Sequence, residues 1–352
     1  MKPYISGIQQ AGIGVRDVKE AYHHYAVLFN ADIPVFEEAA TAGLMLPYTG
    51  GEPRSRHAIL ALNLRGGGGF EEWQYTSRQP EAPAQQIQFG DLGIFIIKIK
   101  TSDIKKAFSH VIDHGGKVLS EVTKSINGKS HFYLEDKFGN LFEVIEQKNW
   151  FSNGPGVMGG VCGAVIGVSD LDRSALFYRT ILGYDKQIGN IKAVDPDVKN
   201  LPGGTAELER WVLTHSQSRQ GPFSNLLGES EIELVKVFER QPQQIFANRF
   251  WGDLGFIHLC FDIQGMKEMR ALCTQFGHPF TVDSSESFDM GEAAGHFSYI
   301  EDPDGTLIEF VETHKIPILK KIGWYLNLQK RDPQAALPNW MLKAMRFSRK
   351  RP

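Results

Sequence analysis

The sequence predicts an α+β protein made of four βαβββ units. Three observations carry that prediction: a repeat displaced by 162 residues, a strand–helix–strand order that recurs within each copy, and an acidic turn before each copy's last strand. The clearest landmark is Arg78-Gln79-Pro80 followed by Gly90-Asp91-Leu92-Gly93. It returns without a gap as Arg240-Gln241-Pro242 and Gly252-Asp253-Leu254-Gly255. Self-similarity at a fixed displacement is the mark of a duplicated architecture. The starts of the copies align as well, GIGVRDVKEAYHHYAVLFN from Gly12 against VIGVSDLDRSALFYRTILG from Val165, with Tyr25 opposite Tyr178. Their ends align as YLEDKFGNLFEVIE from Tyr133 and YIEDPDGTLIEFVE from Tyr299.

In the second copy GAVIGV reads as a short buried strand. Ser169 or Asp170 then caps a helix whose apolar positions are Leu171, Ala175, Leu176 and Leu182. EIELVKVF closes the unit, and FIHLCFDI opens the next with a strand. MKEMRALCTQFG follows as a helix, and HFSYIE and TLIEFVE pair around the turn Asp302-Pro303-Asp304-Gly305. The hairpins that should precede Glu71 and Glu233 are weakly marked. The domains expected are therefore residues 1–150, residues 158–315 and a tail, 316–352. NWFSNGPGVMGG is the linker between the halves, because Gly and Pro cluster there and the periodicity lapses. Gly66 to Gly69 lack the Lys-Ser/Thr and helix of a phosphate loop and read as a mobile hairpin tip.

A chain of 352 residues with 42% hydrophobic and 22% charged residues has ordinary globular composition. A net charge of -3 points to no polyionic partner, and no basic groove for nucleic acid is evident. Cys162, Cys260 and Cys273 are an odd number without close pairing, which argues against a disulfide framework and for a reducing, cytoplasmic setting. No apolar run approaches the roughly 20 residues of a membrane helix.

The unit start at Val165 to Gly183, the pattern Gly255-x-x-His258-x-x-Phe261 and the turn Asp302 to Glu309 together resemble the vicinal oxygen chelate superfamily, which includes glyoxalases, bleomycin-resistance proteins and extradiol dioxygenases. The resemblance spans almost all of residues 5–315. It implies four units paired into two curved mixed sheets, each a cup whose first and last strands supply ligands for one divalent ion (Mn, Ni, Fe, Co or Zn). Carried over by position, those ligand places fall on Gln10, Glu71, Ile96 and Glu143 in the first half. In the second half they fall on Gly163, Glu233, His258 and Glu309. The repeat equates Glu71 with Glu233 and Ile96 with His258. The second half is thus expected to be the active one, with Glu233, His258 and Glu309 as metal ligands, Glu309 doubling as a proton carrier and Tyr299 assisting. The first half is expected to be degenerate, its Gln10, Glu71 and Glu143 solvated on half-exposed strands.

The implied activity is a metal-dependent lyase or isomerase of glyoxalase type, acting on a small substrate that chelates through two oxygens. A non-catalytic small-molecule binder is the alternative. Ring-cleaving oxygenase chemistry fits less well, since it wants two histidines and one carboxylate. His23-His24 is set aside, because adjacent helical residues point about 100° apart. His296 reads as a surface-strand residue, and Cys162 reaches the site only through a local bulge. The tail from Lys315 carries ten Lys or Arg against Asp332 alone, interleaved with Trp324, Tyr325, Trp340, Met341, Met345 and Phe347. Two readings stand: packing on the acidic body or on the twin subunit of a homodimer, which the charge match favours, and docking to an anionic membrane surface.

Overall fold

The computed structural model describes residues 2–154, 156–284, 289–290, 293–319 and 324–350. The first unit comprises β1 (Tyr4–Gly14), α1 (Val18–Leu28), β2 (Ile33–Ala42), β3 (Arg54–Leu62) and β4 (Gly69–Tyr75). The second comprises β5 (Gly93–Thr101), α2 (Ile104–Asp113), the short β6 (Lys117–Val118) and β7 (Thr123–Lys124), then β8 (Ser130–Glu135) and β9 (Leu141–Glu146). The third is β10 (Met158–Gly167), α3 (Leu171–Thr180), β11 (Lys186–Val194), β12 (Glu207–Thr214), the one-turn α4 (Ser224–Leu227) and β13 (Glu231–Val237). The fourth is β14 (Gly255–Gln264), α5 (Met266–Gln275), β15 (Val282–Asp283), β16 (Asp289–Met290), β17 (Ala293–Glu301) and β18 (Leu307–Thr313). The tail adds β19 (Lys315–Leu319), β20 (Trp324–Asn327) and α6 (Asn339–Ala344).

Local chemistry sets these boundaries. Asp17, Asp103 and Asp170 precede α1, α2 and α3 in extended conformation, and each carboxylate accepts from backbone N–H groups of the first turn. The weakly marked hairpins exist as β2–β3 and β11–β12, antiparallel along their whole length. Their outer strands alternate half-buried with exposed residues because one face meets water, which blurs the apolar signal.

The four units pair across the duplication rather than within it. One sheet runs β15-β17-β18-β14-β1-β4-β3-β2 and joins the first unit to the fourth through antiparallel β1 and β14. The other runs β11-β12-β13-β10-β5-β9-β8-β6 and joins the third unit to the second through β10 and β5. Each cup therefore draws one unit from either half, and the division into a degenerate first half and an active second half does not describe the sheets.

The repeated motif explains part of this choice. Arg78 of the first copy pairs with Asp253 of the second at 2.6 Å, and Arg240 of the second pairs with Asp91 of the first at 2.5 Å. Each carboxylate also accepts a backbone N–H from the facing strap, Glu81 on Asp253 and Gln243 on Asp91. The landmark is a reciprocal lock between the halves. Asp253 is fully buried, so Arg78→Ala should strand a carboxylate and cost on the order of 3 kcal/mol in a urea melt. An unchanged midpoint would show that the lock contributes nothing.

Gly66 to Gly69 are not a mobile tip: all four are buried where the two sheets meet. Gly68 and Val161 exchange two backbone hydrogen bonds of 2.8 Å. A Cβ added at Gly160 would lie 2.1 Å from the Gly68 carbonyl oxygen, so only backbone fits this contact. The repeated tyrosines serve within each half. Tyr25 donates to Asp136 at 2.8 Å and Tyr178 to Asp302 at 3.0 Å, tying a helix to the turn of the neighbouring unit.

The tail packs on the body through Leu328, Leu337 and Leu342, which join Ile33, Leu62, Leu226 and Leu227 in one apolar cluster. Arg349 pairs with Asp32 at 3.0 Å. Trp340 and Phe347 stay 68% and 81% exposed. Residues 320–323 and 351–352 and the side chain of Trp324 lie outside the described residues. Among the described residues, no helix is long and apolar enough to cross a membrane, and all three cysteines are free and buried.

Candidate metal centre

Pairing of the first unit with the fourth brings together four polar side chains on one concave face. Gln10 comes from β1, Glu71 from β4, His258 from β14 and Glu309 from β18. In register, β1 sets Gly12 beside both Glu71 and His258, and β14 sets Cys260 beside Glu309. Ligand atoms of Glu71, His258 and Glu309 all lie within 4.8 Å of one another. His258 Nε2 is 3.0 Å from Glu309 Oε2 and 3.5 Å from Glu71 Oε2. Gln10 Nε2 is 3.4 Å from one oxygen of each glutamate, while its own Oε1 is buried without a partner. Amide nitrogen and oxygen exchange by a simple flip, so Gln10 is equally placed to present oxygen to the same point.

The electrostatics are those of a site rich in buried carboxylate. All four side chains are buried, and two carboxylates at this depth need a positive charge between them. Burial alone would lower the His258 pKa, but Glu309 and then Glu71 outweigh it and raise it to about 9. Burial would raise the Glu71 carboxyl, but its contact with His258 holds it below the ordinary range, with help from Arg56 and Gln10. The imidazolium thus offsets part of the carboxylate charge. The donor set suits a divalent ion: one imidazole, two carboxylates that neutralise it, and an amide oxygen. The pleat turns the next residue, Glu72, to the opposite face, where burial pushes its carboxyl well above its usual value.

Two features shape the space around this face. Gly12 lies under the imidazole, where a Cβ would sit 2.2 Å from His258 Cε1. Trp251 stacks on the His258 ring at 6.4 Å between centroids, and Tyr299 meets it edge-on at 5.5 Å. Trp73, Tyr75, Met45 and Ile257 extend this wall into one apolar cluster. Tyr299 pairs in register with Glu309, and burial, then Glu309 and Glu71, keep its phenol protonated far above neutrality. Clefts of about 730 and 310 Å³ open elsewhere, beside Arg219 and His215 and beside His296 and His314, and neither contains a residue of this centre.

Of the expected ligands, His258 and Glu309 come together and Glu233 does not join them. Glu233 lies on β13 of the other sheet, where Lys98 and Arg210 hold it at 2.8 and 2.7 Å. Glu71 takes the place expected for Glu233. Gln10 and Glu71 are not solvated either, being 4% and 8% exposed, and Glu143 is buried in the second cup. The repeat itself held the missed signal. Glu71 and Glu233 occupy equivalent places, and only the identity of the partner unit decides which of them meets His258. His296 is buried at 8% exposure and hydrogen-bonds Asp283 at 2.6 Å rather than facing the centre. Cys162 is buried in the other sheet, on β10.

Residues 7–144 match the family model described as Glyoxalase/Bleomycin resistance protein/Dioxygenase superfamily. No curated protein matches the chain. Among solved structures, the fold is similar to glyoxalase I from Zea mays, at a TM-score of 0.52 and 15% identity over 87% of this chain and 92% of that one. A point mutant of the same maize protein aligns at 0.53 and 14% identity, covering 87% and 93%. A candidate dioxygenase from Bacillus subtilis subsp. subtilis str. 168 aligns at 0.55 and 12% identity, covering 89% and 86%. At such identities these likenesses show the fold.

Proposed function

We propose, since residues 7–144 match the model of the Glyoxalase/Bleomycin resistance protein/Dioxygenase superfamily, that this chain is a divalent-metal-dependent lyase or isomerase of glyoxalase type, with its centre in the cup shared by the first and fourth units. The observation that carries this reading is the convergence of Glu71, His258 and Glu309, with the amide of Gln10 between them. These four residues would hold the ion. When bound, it would supply Lewis-acid polarisation of a substrate carbonyl and stabilise a neighbouring negative charge.

The remaining chemistry belongs to the chain. Glu309 takes a proton from the substrate carbon and returns it to the adjacent one. Tyr299, protonated at any physiological pH, donates a hydrogen bond to a substrate oxygen. The wall of Trp73, Tyr75 and Trp251 excludes water and favours a substrate with an apolar body behind its two chelating oxygens. Ring-cleaving oxygenase chemistry is disfavoured, because the centre offers one imidazole where two are wanted.

The test is the metal content of the purified protein against four variants. About one tightly held divalent ion per chain is expected, lost in Glu71→Ala, His258→Ala and Glu309→Ala and retained in Glu233→Gln. Screening with thiohemiacetals and hydroxy-ketones would then identify turnover. If no ion binds after soaking in Mn²⁺, Ni²⁺, Co²⁺, Fe²⁺ or Zn²⁺, the enzyme reading fails. The same apolar cup is then a ligand-binding pocket of the bleomycin-resistance kind.

A further inference from the structure

The duplication builds a second cup from the second and third units, and its ligand places are Gly163, Glu233, Ile96 and Glu143. Two of the four keep a carboxylate. Between those carboxylates stands Lys98, whose Nζ is 3.0 Å from Glu143, 2.8 Å from Glu233 and 3.0 Å from Glu231. All four side chains are at most 2% exposed. Lys98 lies two residues beyond Ile96 on β5, on the same face of the strand. The displacement of 162 residues carries it onto Cys260, as it carries Ile96 onto His258. Cys260 in turn lies beside Glu309 on the paired strands of the first cup, as Lys98 lies beside Glu143 in the second.

We propose that the ammonium of Lys98 is the resident cation of the second cup, and that the pair Lys98 and Cys260 decides which cup takes a metal.

The surroundings of Lys98 complete a closed charge network. Arg210 binds Asp195 at 2.6 Å and Glu233 at 2.7 Å, and donates to the Tyr133 hydroxyl at 3.1 Å. His131 bridges Glu143 at 2.8 Å and Asp197 at 3.2 Å, and Lys129 reaches Glu231 at 2.7 Å. Burial alone would strip the proton from Lys98, but Glu143, Glu233 and Glu231 outweigh it and hold the group charged. The carboxylates answer in kind, Glu143 falling to about 2 although burial alone would raise it. A dication has no room where this ammonium sits. The first cup has the opposite arrangement: the short side chain of Cys260 carries no ammonium, and among the described residues His258 is the one Lys, Arg or His that contacts both Glu71 and Glu309. The second cup thus stays metal-free and braces the sheet, whatever the first cup binds.

The test uses the full chain with the first cup disabled, so that its outcome is separate from that of the enzyme reading. His258→Ala is compared with His258→Ala/Lys98→Met for Mn²⁺ content and for thermal midpoint in EDTA and in Mn²⁺. The single variant is expected to hold no ion and to show no Mn²⁺ response. The double variant is expected to hold one Mn²⁺ per chain, to melt lower in EDTA and to recover in Mn²⁺, because three carboxylates left without the ammonium take a hard dication. Should the double variant not fold, adding Glu231→Gln removes one of the stranded charges and the comparison is repeated. A Lys98→Met protein with no Mn²⁺ and no Mn²⁺-dependent midpoint overturns the proposal, and so does failure of both Lys98 variants to fold in Mn²⁺-containing medium. An ion retained by His258→Ala and lost on adding Glu309→Ala counts against His258 as a ligand and leaves the second cup empty as expected, whereas an ion retained by that double variant lies outside the first cup and overturns the proposal.

Discussion

Replacing Gly12 by alanine is expected to abolish tight metal binding without touching a ligand. Gly12 sits on β1 directly beneath the imidazole of His258, and a Cβ there would be 2.2 Å from Cε1, 2.5 Å from Nδ1 and 2.7 Å from Nε2. No real contact is that short, so the ring must leave its place. It cannot swing freely, because Tyr299 meets it edge-on at 5.5 Å between centroids and the nearly parallel ring of Trp251 lies 6.4 Å away. It cannot be carried along by its strand either, since β14 is held on both sides by β1 and β18. Overpacking of this kind costs about 1–3 kcal/mol of stability, which a protein of this size survives. Displacing a ligand by part of an ångström costs affinity instead, on the order of 10- to 100-fold or more. The measurement is Mn²⁺ or Zn²⁺ affinity by calorimetry on the folded variant. Wild-type affinity in Gly12→Ala would mean that the imidazole does not hold the ion.

A second large effect is expected from Asp262→Asn, this time on stability and its dependence on pH. Asp262 is fully buried on β14, two residues beyond Cys260 and outside the set of ligands. Burial pushes its carboxyl up to about 8, with Glu312 adding to the rise and the Ser6 hydroxyl opposing it. An unfolded aspartate titrates near 3.9, so between about pH 4 and pH 8 the folded chain keeps a proton that the unfolded chain has released. Stability from this group is therefore complete below about pH 4 and is lost as the pH rises toward 8. At neutral pH the loss is about 4 kcal/mol as an upper figure, at about 1.4 kcal/mol per pH unit. The amide of asparagine has the same shape and no proton to lose. Asp262→Asn should accordingly melt at nearly the wild-type temperature at pH 4 and several degrees above it at pH 8. Parallel melting curves for the two proteins across that range would show that Asp262 is ionised at no cost.

Much of the fold and some of the centre were legible in the residues. The displacement of 162 residues shows in a plain alignment of the chain with itself, and the cap at Ser169 or Asp170 and the turn ahead of Glu309 are local patterns. Local patterns survive in a one-dimensional string because hydrogen bonds of a helix turn or a β-turn close within a few residues. The places at which side chains face a cup were legible for the same reason, since the period of a strand is two and Glu71, Glu143, Glu233, His258 and Glu309 keep it. The outer hairpins were harder to see. Their strands are half exposed, and alternation with water on one face dilutes the apolar signal.

The units, their order and the faces on which the polar residues stand therefore follow from the residues alone. That Glu71, and not its twin Glu233, meets His258 was settled by the assembled sheets. The reason is that the edge of a β-strand offers the same N–H and C=O groups whatever its side chains, so β1, β5, β10 and β14 are interchangeable partners as far as the backbone ladder is concerned. The selection comes from contacts between residues far apart in the chain. Gly12 leaves room for one imidazole and Gly160 admits only the backbone of Gly68. Arg78 and Arg240 each find the aspartate of the opposite copy. Such contacts have no period and no fixed spacing, and they become visible only when the chain has closed on itself.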